Sequence, residues 1–380
     1  MIDVVTAKRL AEKYKILYSK TISLSENLSG YTPPSNLVTE LTYPKVYLGL
    51  LFTENEKSDL FDNPEILSEN KVSIEDLIEF RTSMINARKA VDVNIPKKND
   101  KIYEKVLEAS LSIKSVNVEL FLNKIRENTK LTKIIAYYGF NGYLKDLKIN
   151  ENPKIPNVIY NINDVKAEDG VYLMYEKGLS DYYISRIFSL GFFGLKTNRK
   201  LVPSKWSITA VHSILYRKII SENKDKLKSI STIMLFNYKL YGNDFYGLFL
   251  PGNGNVELIE VLLPGCVYNL NGKNSIIGRD DESGGYYALK LSFAEFQNYS
   301  KYKGDLVVIR IINRDYKIPL GVWVVREGTK RMFRNLIERF NGTKEALEYL
   351  NNLLGNRYNL NIYKIKKYSN ILNQKKLLFI

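Results

Sequence analysis

The residue types that most plainly point to chemistry lie in TNRKLVPSKWSITAVHSIL, where Arg199, Lys200 and Lys205 crowd one point of the chain. Pro203 bars a helix before it and Ser204 or Ser207 can cap one after it, so ITAVHSILYRKII, with its helical period, begins beside three cations. The start of such a helix offers unpaired backbone N–H groups and the positive end of the dipole, an arrangement that suits a phosphate. Trp206 beside them is either a core anchor or a face on which an unpaired base stacks. His212, the one histidine, has no cysteine near it and is expected as a packed residue rather than a base or ligand.

Two further segments gather charge. In IIGRDDESGGYYALKL, Asp280, Asp281 and Glu282 precede a predicted helix, where they either bind Mg²⁺ with help from a phosphate or complement the helix dipole. PLGVWVVREGTKRMF reads as a strand that delivers Arg326 and Glu327 to a helix start, as a site or as an internal salt bridge. Arg279, Asp280, Asp281, Arg326 and Glu327, gathered beneath the Gly284–Gly285 turn, are the catalytic candidates for an alternative reading, an enzyme that processes nucleotides or DNA ends. The sequence has no nucleophile with an adjacent base, no Walker loop and no GxGxxG after a strand, so it declares no reaction. No cofactor is expected.

The chain closes on NQKKLLFI. Gln374, Leu377 and Ile380 follow the spacing Q-x-x-h-x-x-h, with Phe379 one place early relative to the usual ligand of a sliding clamp. Such a peptide fills an apolar pocket while basic residues upstream, here Lys364, Lys366 and Lys367, meet an acidic flank. The rival reading folds the apolar end back onto the body.

A chain of 380 residues exceeds what one core usually organises, and 45% apolar with 12% aromatic residues can fill two. The net charge is +15 and unevenly spread. Residues 186–228 hold ten basic and two acidic side chains, a net of +8, and residues 360–380 hold five lysines and no acid. Charge concentrated in this way suits a polyanion, and DNA is the first candidate partner. A single cysteine, Cys266, excludes an internal disulfide and a multi-cysteine zinc site, so no metal is expected. No apolar run is long enough to span a membrane and the first residues are charged, which predicts a cytoplasmic protein with no membrane partner.

The elements that must position these groups read as an α+β fold: a helical N-terminal part followed by a mainly antiparallel sheet flanked by helices. Residues 1–150 are predicted mainly helical, from TAKRLAEKYKILYS, SIEDLIEFRTSMINARKAV and DKIYEKVLEASLSIKSVNVELFLNKIREN, with a loop around Pro33, Pro34 and Pro44 and a short strand at Val46–Leu51. Residues 151–358 are predicted as the α+β domain that holds the basic helix start. Its strands lie in STIMLFNYKLYG, DFYGLFLPG, VELIEVLLPG, DLVVIRII and IPLGVWVV, and its helices include GGYYALKLSFAEFQNYSKYK. Residues 359–380 are expected as a basic tail ending in the clamp peptide.

Several of these segments also carry a resemblance. PPS, YPKV with Gly49, EASLSIKSVNVE, SLGFFG, RKLVPSKWSITAV, GNDFYGLFLPG, GRDDESGGYYALKL and PLGVWVVRE follow one another in the order and approximate spacing of the archaeal Nre family of DNA-repair proteins. The sequence resembles that family over nearly its whole length. The resemblance implies a role in the response to DNA damage and, in many members, docking to the sliding clamp PCNA through a C-terminal peptide, where Gln374 and Leu377 stand here. The function expected is therefore that of a DNA-repair factor that associates with DNA and docks to PCNA. Three positions depart from the family pattern: a cysteine-bearing N-terminal segment is missing, VTEL stands where Gly-Arg is usual, and His212 stands where an acid is usual.

Overall fold

The computed structural model describes residues 26–127, 138–162, 164–263, 266–269, 284–316 and 320–374. The chain is α+β, and it divides into two compact units: Asp3–Leu215 with Pro319–Gly321, and Tyr216–Ile318 with Val322–Ile380. The division falls inside one helix rather than near residue 150.

The N-terminal unit is built on a sheet, which corrects the expectation of a helical part. Strands β1 (Asn27–Thr32), β2 (Asn36–Thr42), β3 (Lys45–Phe52), β4 (Ile85–Asp92), β5 (Val116–Glu127) and β6 (Phe140–Ile149) pair in the order β1-β5-β6-β4-β3-β2. Only β4 and β6 run parallel. The three prolines at 33, 34 and 44 lie between strands, where a missing N–H breaks no ladder. In β5 the residues Val116, Val118, Leu120 and Leu122 are buried at every second position, a strand period that follows directly on the helical period of the preceding helix. Helices α1 (Pro64–Glu69), α2 (Ile74–Ser83) and α3 (Lys101–Leu111) precede β4 and β5, and α4 (Ala167–Glu176) and α5 (Asp181–Ser189) follow the sheet. Asn63, Ser73, Asp100 and Ser180 accept backbone N–H bonds at the starts of α1, α2, α3 and α5. Helix α6 (Ser204–Asn223) leads from this unit into the next.

The second unit holds β7 (Lys228–Ser229), β8 (Ile233–Leu240), β9 (Asn243–Leu250), β10 (Val256–Leu262), β11 (Cys266–Asn269), α7 (Gly284–Ser300), β12 (Tyr302–Lys303), β13 (Asp305–Ile312), α8 (Trp323–Met332), β14 (Leu336–Phe340), α9 (Thr343–Tyr358), α10 (Ile362–Lys366) and α11 (Asn370–Asn373). Its main sheet runs β11-β10-β13-β9-β8-β14, antiparallel except for β10 beside β13. Central strands β9 and β13 are buried at every position because both faces are covered. One face, with Tyr246, Leu248, Leu250, Val307, Ile309 and Ile311, packs on Leu347, Leu350 and Leu354 of α9 and on Ile362, Ile365 and Leu372. On the other, Phe249 meets Phe293 edge-on at 5.7 Å, and Phe296 stacks on Phe333 at 4.4 Å. Gly328 of α8 lies so close to Phe245 that an added Cβ would stand 2.2 Å from its ring, so the helix can reach the sheet only with glycine there.

The structure departs from two further expectations in this unit. VWVVREGTKRM is helix rather than strand: the apolar run continues at helical spacing through Gly328, Thr329 and Met332, all buried. Residues 359–374, expected as a tail, are packed onto the body as far as Leu372, because Glu257 of β10 reaches the start of α11.

Candidate nucleic-acid interface

The loop 199–203 is held by its backbone. Leu201 N–H donates to the Val93 carbonyl at 2.7 Å and Val202 N–H to that of Ser189 at 2.8 Å, while the Leu201 side chain is buried in the core of the N-terminal unit. Helix α6 then starts at Ser204, whose hydroxyl accepts the Val38 N–H at 2.9 Å and ties the helix to β2. Trp206 and Ser207 donate their N–H groups to the Pro203 carbonyl, and the Ser207 hydroxyl donates to the Ser185 carbonyl of α5 at 3.0 Å. Each side of this helix start is therefore fixed by buried partners, and what remains points outward.

Pointing outward are Lys200, Lys205 and Trp206, the last 46% exposed. Trp206 is thus a surface ring and not a core anchor. Its neighbour is Tyr43, 58% exposed in the β2–β3 turn, with ring centroids 6.4 Å apart and planes tilted by 41°. The Lys205 ammonium lies 5.8 Å from the Trp206 ring and also pairs with Glu40 of β2, so its charge is partly answered. Lys45 is exposed and stands opposite Asp92 in the β3–β4 register. Hydrogen bonds from the backbone and side chain of Asn94 hold the Asp92 carboxyl below the usual range, and the fields of Lys98 and Lys200 act the same way. Two exposed rings therefore sit among lysines, with Glu40 and Asp92 as interleaved anions.

Arg199 is turned away from this face: its Nε donates to the Gly194 carbonyl at 3.1 Å and its guanidinium lies 5.9 Å from the Phe192 ring. Arg186 fastens the turn before β2, donating to the carbonyls of Pro34 and, at 2.7 Å, Ser112, with its guanidinium 4.7 Å over Tyr183. Burial pushes Arg186 down to about 10 and Tyr183 up to about 12, so at neutral pH one stays charged and the other neutral. Tyr43 and Lys45 belong to the site although sequence reasoning placed them in a loop; the Tyr-Pro-Lys between two apolar alternations was the signal.

The other candidates are placed differently. Arg326 and Glu327 are buried in α8. Arg326 pairs with both oxygens of Glu295 at 2.6 Å and with Ser292 at 2.8 Å; Glu327 pairs with Arg331 at 3.3 Å. Neither faces solvent, so the pair is an internal salt-bridge system. Arg279, Asp280 and Asp281 lie outside the described residues, as do Leu377, Phe379 and Ile380; Gln374 is exposed at the end of α11. His212 is buried, with Nε2 2.9 Å from the Asp181 carboxylate of α5. Among the described residues, no cluster of His, Cys, Asp or Glu is placed to hold a metal ion, and no helix is long and apolar enough to cross a membrane.

Taken together, fold and site define a two-unit α+β protein with an electropositive, aromatic face at the start of α6. The model of the archaeal Nre N-terminal region matches residues 8–269 and that of the Nre C-terminal region matches residues 272–379. The chain belongs to the archaeal Nre family. It is 34% identical over 351 residues to the DNA repair protein NreA of Archaeoglobus fulgidus, covering 89% of this chain and 88% of that one. It is 29% identical over 346 residues to the DNA repair protein NreB of the same organism, covering 87% and 86%. To the DNA repair protein NreA of Haloferax volcanii it is 26% identical over 365 residues, covering 89% and 86%. No solved structure matches it.

Proposed function

We propose that this chain acts in DNA repair, the role its relatives' names carry, as a cytoplasmic factor that meets DNA at the Trp206–Tyr43 face and docks to the sliding clamp PCNA through Gln374, Leu377, Phe379 and Ile380. The observation that carries the first part is the exposed pair of rings among Lys45, Lys200 and Lys205. Water is a poor neighbour for two indole and phenol faces, whereas an unpaired base stacks on them and the ammonium groups hold its phosphates. Arg199, engaged with its own loop, supports the face rather than gripping DNA.

Replacing both Trp206 and Tyr43 by alanine is expected to weaken binding of a labelled single strand by roughly tenfold or more, since each stacked base is worth about 1–3 kcal/mol. Fluorescence anisotropy at low salt measures it, and unchanged affinity with an intact melting curve refutes the assignment. For the clamp, removing Gln374–Ile380 should abolish binding to PCNA in a pull-down while thermal unfolding stays where it was. Retained clamp binding would sink that half of the proposal. Of the residues of the enzymatic alternative, Arg326 and Glu327 are committed to ion pairs inside the core, and Arg279, Asp280 and Asp281 lie outside the described residues.

A further inference from the structure

The second unit carries another electropositive surface, assembled from two segments that sequence alone keeps about seventy residues apart. Strands β7 and β12 form a short parallel ladder, with Tyr302 opposite Lys228 and Lys303 opposite Ser229. Lys228 N–H donates to the Lys301 carbonyl at 2.9 Å and Ile230 N–H to that of Lys303 at 3.1 Å. Lys301 ends α7 in the left-handed region at φ 61°, its N–H donating to the carbonyl of the buried Gln297. The ladder thereby brings the segment that carries Lys224, Lys226 and Lys228 alongside the one that carries Lys301 and Lys303, and all but the half-buried Lys303 are exposed. Tyr299, 89% exposed, and Tyr302, 41% exposed, flank them.

Among the described residues none of these five lysines forms an ion pair; Lys301 alone has a side-chain partner, the Asn298 amide oxygen at 2.9 Å. The acids of the same stretch are Asp225 and Glu222, so positive charge dominates. Five lysines on two adjoining segments, with only Asp225 and Glu222 as counter-charge, repel one another, a cost that a polyanion lowers.

We propose that this ladder surface is a second nucleic-acid contact, which takes the phosphates of single-stranded DNA on its lysines and a base on Tyr299. Composition separates this partner from others. Protein interfaces are depleted in lysine and built around apolar anchors, and the patch offers no exposed aliphatic side chain. A bilayer surface would likewise ask for aliphatic or tryptophan side chains to insert. Lysines interleaved with tyrosine rings match a strand whose backbone is charged and whose bases have faces. The inference stands apart from the Trp206–Tyr43 reading, because it uses other residues in the other unit.

The test is anisotropy of a labelled oligothymidylate, followed across a salt series, with the full chain, the variant Lys224→Gln/Lys226→Gln/Lys228→Gln/Lys301→Gln, the variant Tyr299→Ala, and the double variant at Trp206 and Tyr43. Each lost phosphate contact lowers the slope of log affinity against log salt by about 0.7, so the quadruple variant should lose roughly 2–3 of slope. Tyr299→Ala should weaken the single strand by about tenfold and leave a duplex of the same sequence almost unaffected. A quadruple variant that melts like the parent yet keeps its affinity and slope overturns the proposal. So does one that loses binding only to vesicles containing phosphatidylserine. Loss at the ladder alone supports this surface and removes the Trp206 face; loss at Trp206 and Tyr43 alone does the reverse.

Discussion

Arg326→Ala should lower the free energy of unfolding by about 3–5 kcal/mol, the usual result of removing one member of a buried ion pair. Among the described residues Arg326 is the largest fully buried side chain, only 1% exposed. Its guanidinium meets both oxygens of Glu295 and the hydroxyl of Ser292, which also receives the hydroxyl of Thr329. Deleting it leaves a hole at the α7–α8 packing and takes two charge-assisted hydrogen bonds from the Glu295 carboxylate. Because Glu295 keeps 22% of its side-chain surface in water, it can recover part of its hydration, which places the expected loss toward the lower end of the range. Arg326→Met, which keeps most of the volume, should lose less, and pairing it with Glu295→Met should recover much of the difference. Chemical denaturation of the single and double variants measures the coupling directly. If Arg326→Ala unfolds at the parent midpoint, the ion pair does not hold this core together.

Why the sequence yielded one half of this protein more readily than the other can be seen in particular residues. Strands β8, β9 and β10 were readable because they are consecutive, apolar and divided by turns too short for a crossover. The first sheet was not, since its strands follow helices without a break: SIEDLIEFRTS turns into INARKAVD at Met84, and EKVLEASL into VNVELFLN across four residues. Charged residues along β4, such as Arg88 and Lys89, preserve a helix-like composition while the backbone is extended. The reverse error befell α8, where Val322, Trp323, Val324 and Val325 have strand propensity and the tertiary burial of the helix outweighs it. Of the candidate site, the run around Trp206 was legible from charge and aromatic type alone. Tyr43 was not, because only the register of β2 against β3 brings it to within 6.4 Å of Trp206. The ladder patch was legible only on one side, through Lys224, Lys226 and Lys228; pairing with residues 301–303 is a tertiary fact.

Glu257→Ala should release the last helix and cost about 3 kcal/mol. Glu257 is 2% exposed on the face of β10 that carries the core beneath α9, and it accepts from the Ser369 hydroxyl, from Asn370 N–H at 2.7 Å and from Ile371 N–H at 3.2 Å. A carboxylate at the start of a helix satisfies donors that have no partner within it, and bonds to a charged group are worth about 1.5–3 kcal/mol each. Alanine removes the acceptor and leaves those donors buried, so Leu372 loses the support that keeps it in the core. Glutamine keeps one carbonyl acceptor but turns an amide against the remaining N–H groups, so it should fall between the two. Hydrogen exchange should show the segment from Asn361 to Gln374 opening in the alanine variant well before the central strands β9 and β13. The clamp proposal gives this variant a second use. If recognition resides in the final residues, Glu257→Ala should melt earlier yet keep most of its affinity for PCNA, whereas removal of Gln374–Ile380 should leave the melting curve in place and lose the clamp. Should both variants lose stability and binding together, the docked segment and the peptide act as one element, and the anchored base contributes to recognition as much as the apolar end does.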